Sequence, residues 1–332
     1  KGGLGVYLTP NPVKQAMLEI GIHDISNDDE AMAKLTNGDS NFCDPTCGSF
    51  GFGSVALSQI DRLVDAQLGG LSDIGKEKLK QTLIRFPKDS LQFEIGVQTF
   101  DPKIQTLISR KENNEKTKEN LLWLREHTGA HIHADLIFGL PTDTLENFGE
   151  SFNHLVALSP QQIQLGILKR LRGAPINRHN DEYQMVYSST PPYTVLSTKD
   201  IDFISMQRVK RFARYWDMIA NSGRFKFTLP LILEDSNGAS NLKSNTAFKR
   251  FMQLSDAFFK REGSTWKISL ARLYKLIFEV LSNELKANEE QVKNLLNLDY
   301  ERSKQKGSLD LVLNTQKNLR QGKANKRQKN HG

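Results

Sequence analysis

Polar and apolar residues alternate strictly in three short segments of this chain. In Leu91–Gln98 the residues Leu91, Phe93, Ile95 and Val97 are apolar, while Gln92, Glu94, Gly96 and Gln98 are polar or small. His131–Phe138 sets Ile132, Ala134, Leu136 and Phe138 against His131, His133 and Asp135. Gln162–Ile167 sets Ile163, Leu165 and Ile167 against Gln162, Gln164 and Gly166. A period of two belongs to a β-strand, whose successive side chains point to opposite faces. Between these segments the period lengthens to that of a helix. Asp101-Pro102 is an N-cap followed by proline at the first helical position, and Ile104, Leu107 and Ile108 continue the spacing. A second helix is predicted over Asn114–His127, stopped by Gly129. Asp143-Thr-Leu-Glu146 reads as a capping box that opens a helix with Leu145, Phe148, Phe152 and Leu155 on one face. Strands alternating with helices at this spacing predict right-handed crossovers and a parallel sheet.

Parallel strands are usually covered on both faces and read as continuous apolar runs. Here one face of every strand is polar. A buried polar group left unpaired costs ~1–3 kcal/mol, so a row of them would rival the ~5–15 kcal/mol net stability of a domain. The polar faces are therefore expected to line a barrel or part-barrel hollow that holds a polar ligand. The plainer alternative is a sheet with one face open to solvent.

The same residues carry a resemblance. Glu94-Ile-Gly-Val-Gln98-Thr-Phe100, Ile108-Ser-Arg110-Lys111, Ala134-Asp135-Leu-Ile-Phe-Gly-Leu-Pro141 and Leu168-Lys-Arg-Leu-Arg-Gly173 resemble the fourth to sixth strands of a radical S-adenosylmethionine (SAM) barrel. The likeness spans about residues 85–329 and extends into the C-terminal domain of unknown function that follows such barrels in cobalamin-binding radical SAM proteins. In related oxygen-independent coproporphyrinogen oxidases, SAM is contacted by a strand-end Gln, an Arg twelve residues later and the Asp of the Asp-Leu-Ile motif. The resemblance thus implies Gln98, Arg110 and Asp135 as SAM contacts, with Glu94 beside them on the first polar face. The chemistry suits the assignment. Arg110 offers a planar cationic fork for a carboxylate, and Gln98 and Asp135 offer acceptors to an amine or to ribose hydroxyls. Read from the residues alone, Arg110 is a surface ion pair and Asp135 a helix cap or loop bond.

The first seventy residues follow another pattern. Tyr7-Leu-Thr9-Pro10 opens a helix through Ile20, and Asn41-Phe-Cys43-Asp44-Pro-Thr46-Cys47-Gly48-Ser49 reads as a strand end and tight turn before a second helix. An acidic residue followed by a glycine turn suits a nucleoside, because the acid takes the ribose hydroxyls and the turn's amides approach closely. These residues are similar to the SAM-binding motifs of adenine-N6 DNA methyltransferases of the restriction-modification type, over about residues 3–73. The resemblance implies a second, weaker SAM site at Tyr7, Thr9, Asp44, Gly48 and Ser49. It departs at Phe50, where that family has glycine. A target-base motif is represented only by Thr190-Pro191-Pro192-Tyr193, which lacks the needed carboxamide or carboxylate and is read as a decoy. Cys43 and Cys47 also match the first two of three thiolate positions that hold a radical SAM cluster. The third position is Phe50, and the chain has two cysteines in all. By resemblance a [4Fe–4S] cluster is expected of the family, while its ligands are missing here.

Residues 74–90 form a junction. Beyond Gln162–Ile167, glycine and proline punctuate an irregular stretch whose tyrosines, Tyr183, Tyr187 and Tyr193, suggest a packed cover. Helices are predicted at Thr198–Asn221, ended by Gly223, and at Lys243–Arg261 and Ile268–Leu285, with Thr228–Leu233 as a turn packed on the core. His131 and His133 could ligate a metal with Asp135; hydrogen bonding within the polar lining is the preferred reading.

Composition narrows the picture further. A hydrophobic content of 38% suits a globular chain. No run reaches the ~18–20 apolar residues that span a membrane, and no basic-then-apolar leader opens the sequence, so a cytoplasmic location is expected. The formal charge of +7 is concentrated in a tail, Gln316–Gly332, with six Lys or Arg and no acid. Such a tail can meet nucleic acid, though a solvated, disordered terminus is the preferred reading. The sequence therefore reads as an α/β protein. A methyltransferase-like α/β fragment (1–73) and a junction (74–90) precede an incomplete parallel βα barrel of radical SAM type (91–175). A mostly α-helical C-terminal region (176–315) and a basic tail (316–332) follow. The function this implies is that of a truncated radical SAM protein unable to hold its own cluster, acting on a small molecule the sequence does not specify. The alternatives are a remnant of an adenine-N6 DNA methyltransferase and a non-catalytic binding or scaffold fragment.

Overall fold

The computed structural model describes residues 73–110, 112–171, 173–234, 246–303 and 309–314. The methyltransferase-like segment, with Tyr7, Thr9, Asp44, Gly48, Ser49, Phe50 and both cysteines, lies outside the described residues, as does the basic tail. Helix α1 (Asp73–Ile84) leads to strand β1 (Gln92–Gln98), helices α2 (Pro102–Leu107) and α3 (Asn114–His127), β2 (His131–Phe138), α4 (Leu145–Leu158) and β3 (Gln162–Ile167). The three strands form a parallel sheet in the order β1-β2-β3, the alternation of elements the periodicity predicts. The chain divides into two compact units, residues 1–95 with 113–133, and residues 96–112 with 134–332.

In the first unit, Lys80 sits over the Trp123 ring at 5.1 Å and Trp123 stacks on His127 at 5.2 Å. Asn113 caps α3 by accepting from the Lys116 amide. The helix ends where expected, but Gly129 is not its cap. Thr128, in extended conformation, closes it, its hydroxyl donating to Leu124 O. Gly129 is instead a point of close approach. A Cβ there would lie 2.5 Å from Lys88 Cα, and its carbonyl accepts from Asp89 N at 2.8 Å.

The second unit is built on aromatic packing. Phe148, Phe152 and Leu155 of α4 are buried, and Phe152 meets Phe212 and Trp216 of helix α5 (Phe203–Trp216) at ring distances of 5.1 and 4.8 Å. Phe248 and Phe251 of α7 (Thr246–Glu262) complete the cluster. Such edge-to-face contacts add ~0.5–1.5 kcal/mol each beyond area burial. The α4 cap differs from the expected box. Thr144, not Asp143, is the N-cap and accepts from Asn147 N, while Asp143 turns inward. Helix α5 begins later than predicted because Thr198 is spent on a turn, accepting from Asp200 N and Ile201 N, and Asp202 takes over as N-cap. It relaxes into a π turn over Asp217–Asn221 and ends at Gly223, φ +64°. There Asn221 accepts from Ile163 N and donates to Ile163 O, at 3.1 and 3.0 Å.

After β3 the chain forms a short 3-10 helix (Pro175–His179) and a two-stranded antiparallel ribbon, β4 (Val186–Tyr187) and β5 (Val195–Ser197). The expected tyrosine cover is partial. Arg170 lies over the Tyr187 ring, but Tyr193 is exposed, in the Thr190–Tyr193 turn. Helices α6 (Leu229–Leu233), α8 (Leu270–Asn283), α9 (Glu289–Arg302) and α10 (Leu309–Asn314) complete the C-terminal region. The predicted turn at Thr228–Leu233 is the short helix α6, and α9 and α10 were not expected from the periodicity. Asp299 of α9, fully buried, accepts from Phe227 N, Thr228 N and the Thr228 hydroxyl at 3.0, 2.9 and 2.8 Å. No described helix is long and apolar enough to cross a membrane.

Candidate functional site

The apolar face of β2 behaves as the alternation predicts, with Ile132, Ala134, Leu136 and Phe138 all buried. In the other two segments Val97 and Ile163 are buried, while Leu91, Phe93, Ile95, Leu165 and Ile167 are half-buried. The polar faces are graded. Gln92, Glu94 and Gln164 are exposed, His131, Gln98 and Asp135 are half-buried, and His133 is buried. The sheet therefore opens to water on part of this face, and Glu94 stands in the open part.

Strand β1 ends on Gln98, which has φ +64°, and the Thr99 amide donates back to Val97 O at 2.8 Å. This three-residue turn centred on a left-handed, non-glycine residue is rare and strained, of the kind that clusters at ligand-binding positions. Several bonds hold it. Phe100 N donates to Ser151 Oγ at 3.0 Å, and Gln105, buried on α2, donates through Nε2 to Thr99 O at 2.8 Å. Asp101 caps α2 and also accepts from Asn147 Nδ2 at 3.0 Å, tying the loop after β1 to the start of α4.

Gly96 makes room at this point. A Cβ on it would lie 2.6 Å from Gln98 Nε2 and 3.9 Å from Arg110 Nη1, so the Gln98 amide folds over the glycine and the Arg110 guanidinium comes up beside it. Gln98 Oε1 is buried and has no hydrogen-bond partner among the described residues. Arg110 pairs with Glu112 at 2.6 Å, both partners half-buried. The backbone of Arg110 is fixed by its amide, which donates to Gln105 O at 2.8 Å. A cavity of about 420 Å³ lies along Pro102, Gln105, Thr106, Ser109, Arg110 and Glu112. Asp135 belongs to the neighbouring strand β2, half-buried on its polar face. Of the residues proposed from sequence, Gln98 and Arg110 are brought together; Glu94 is exposed, four residues earlier on the same strand.

The glycine of the Gly139-Leu-Pro141 motif has a structural reason. It adopts φ +92°, and a Cβ would meet Val195 Cγ1 at 2.6 Å. Its amide donates to Asp143, which is 2% exposed. Burial pushes the Asp143 carboxyl up to about 8, against backbone amides that favour its charged form. On β2 the His131 and His133 rings meet edge to face at 4.8 Å, and Gln92 Nε2 lies 3.5 Å from His133 Nδ1. Burial and the neighbouring His131 hold His133 below the usual imidazole range, partly offset by Glu94. Among the described residues no three His, Cys, Asp or Glu are placed to hold a metal ion.

Sequence reasoning missed Gly96, Gln105 and Glu112. Gly96 had a signal, since it is the small residue that interrupts the row of long polar side chains on β1. Gln105 had none, being one polar residue on a short helix.

Comparisons with known proteins point the same way at a coarse level. Residues 181–331 match a family described as a protein of unknown function, DUF4080. A 71-residue stretch, 21% of this chain and 16% of the relative, is 41% identical to an oxygen-independent coproporphyrinogen III oxidase of Paracoccus denitrificans. The enzyme of that name from Pseudomonas aeruginosa is 24% identical over 166 residues, 49% of this chain and 28% of its own length. The oxygen-independent coproporphyrinogen-III oxidase-like protein HemZ of Bacillus subtilis is 26% identical over 124 residues, 37% and 24% of the two chains. The chain thus spans less than a third of the length of these curated relatives. In part it is similar to oxygen-independent coproporphyrinogen III oxidases and, over residues 181–331, to DUF4080.

Proposed function

We propose that this chain supplies the rear, SAM-holding part of a radical SAM barrel, with Gln98, Arg110 and Asp135 as its contacts. The observation that carries this reading is the meeting of Gln98 and Arg110 over Gly96, where a buried amide oxygen has no partner among the described residues. An acceptor of that kind suits the ammonium or a ribose hydroxyl of SAM. Arg110 presents a fork for the carboxylate of its methionine part, part of which Glu112 now occupies. Asp135 adds an acceptor from β2, and the graded polar face leaves Glu94 at the water-facing border.

With a reduced [4Fe–4S] cluster, SAM supplies a deoxyadenosyl radical in the family the chain resembles. The two cysteines of this sequence fall one short of the three thiolates that hold such a cluster, so these residues alone do not fit it and no step is drawn through it. What this chain contributes is binding and orientation of the adenosyl cofactor. Calorimetric titration of the purified chain with SAM tests the reading. Binding that is lost in Arg110→Ala and Asp135→Asn supports it. Undiminished binding in both variants overturns it.

A further inference from the structure

We propose that Arg178 and His179, on the 3-10 helix after β3, are positioning residues that hold the Arg110 turn in its ligand-binding geometry. The proposal rests on the SAM reading above and concerns residues outside the set assigned to it. Arg178 Nη2 donates to Leu107 O at 3.0 Å and to Ser109 Oγ at 2.7 Å, reaching back about seventy residues along the chain. His179 Nε2 accepts from Arg178 Nε at 3.1 Å and lies 3.0 Å from the same Leu107 carbonyl, so the imidazole steadies the guanidinium that holds the turn. Arg178 is exposed and pairs with no carboxylate among the described residues. Its charge is directed to a neutral carbonyl and a hydroxyl, both on the turn that leads into Arg110.

That turn needs holding. Ser109 has φ +60°, a left-handed conformation that is strained for a non-glycine residue. Arg110 follows directly, with its amide bonded to Gln105 O and Gln105 bonded in turn to Thr99, the residue after Gln98. The turn is thus fixed by Gln105 and, separately, by the Arg178 guanidinium, which His179 steadies. The two fixings set where the Arg110 fork stands relative to Gln98. The outer clamp continues into the C-terminal region, since Tyr183 N donates to His179 O at 3.1 Å and Lys199 N to Tyr183 O at 2.8 Å. The part of the chain matched as DUF4080 is thereby bonded to His179, next to the Arg178 that holds the turn.

The test is calorimetry with two probes, SAM and 5′-methylthioadenosine, which keeps the adenosyl group and lacks the amino-acid part. A clamp that orients Arg110 toward a carboxylate predicts that Arg178→Ala weakens SAM about tenfold and leaves methylthioadenosine unchanged. Ser109→Ala, which removes one acceptor and nothing else, moves SAM in the same direction by a smaller factor. Equal weakening of both probes in Arg178→Ala would mean general support of the fold and overturns the proposal. Unchanged SAM affinity in Arg178→Ala and Ser109→Ala, alongside a loss in Arg110→Ala, overturns it while leaving the site reading intact. Unchanged SAM affinity in Arg110→Ala removes the site reading, and the clamp's role with it.

Discussion

Gln98 and Arg110, twelve residues apart in sequence, bring their side chains together over the Cα of Gly96. The space is available only because residue 96 has no Cβ, and the atom nearest to where one would stand is the far end of the Gln98 side chain. Gly96→Ala is therefore expected to fold, with a melting temperature close to that of the parent, while pushing the Gln98 amide out of place. SAM affinity should fall about tenfold, equivalent to ~1.4 kcal/mol. An alanine variant that binds SAM like the parent would show that the glycine serves only the strand.

Glu112 now occupies part of the Arg110 fork. A half-exposed ion pair of this kind is worth ~0–1 kcal/mol, so its loss is tolerable to the fold. Glu112→Gln should leave stability nearly unchanged and tighten SAM binding up to about fivefold, since the ligand carboxylate no longer competes with a side-chain carboxylate. Weaker binding in this variant would mean that Glu112 orients the guanidinium and does not block it.

The two SAM-like segments can be separated by one pair of variants. Phe50→Gly restores the glycine of the methyltransferase motif, and Asp135→Asn removes a carboxylate from β2. The present reading expects Phe50→Gly to bind SAM as the parent does and Asp135→Asn to lose at least about tenfold. The reverse result, tighter binding in the first and no change in the second, would assign the ligand to the N-terminal segment.

Asp143 provides a pH signature. Its carboxyl is pushed up to about 8 in the folded chain, against an ordinary value of 3.8. A raised folded-state pKa stabilises the fold fully below about pH 4, and this contribution is lost as pH rises through about 8. The urea midpoint of the parent should therefore decline between about pH 5 and pH 8 more steeply than that of Asp143→Asn, which stays neutral throughout. Parallel pH profiles for the two proteins would show that Asp143 is charged in the fold.

The carboxylate of Asp299, fully buried, satisfies three donors of the Phe227–Thr228 segment. Asp299→Ala strands all of them, at ~1–3 kcal/mol for each buried group left unpaired. A loss of about 3–5 kcal/mol in urea unfolding is expected, without change in the first unit's Trp123 fluorescence at low denaturant. A loss below about 1 kcal/mol would show that water replaces the carboxylate.

How much of this was visible in the sequence depends on the distance over which each cause acts. The three strands and the bounds of α3 follow from local alternation and capping, and Asn114–His127 is where the pattern puts it. Errors arise where a neighbour far along the chain decides. Gly129 looks like a helix stop, yet its lack of a Cβ answers to Lys88. Asp143 looks like a cap, yet the amide of Gly139 draws it inward and leaves Thr144 to do the capping. At the candidate site, Gln98 and Arg110 were legible through a resemblance, while Gln105 and Arg178 were not. Their roles lie in bonds to Thr99, Leu107 and Ser109 that no periodicity encodes. The polar row on β1 suggests a hollow, with a solvent-open face as the plainer alternative, and the exposure of Gln92 and Glu94 shows that alternation identifies a face without saying what covers it.

The carboxamide of Asn221 mimics a strand. By engaging both main-chain groups of Ile163, it plugs the border of the sheet at β3, where an incoming segment would otherwise zip on. A strand approaching β3 finds the main-chain groups of Ile163 already taken, so it would have to displace this carboxamide before pairing there.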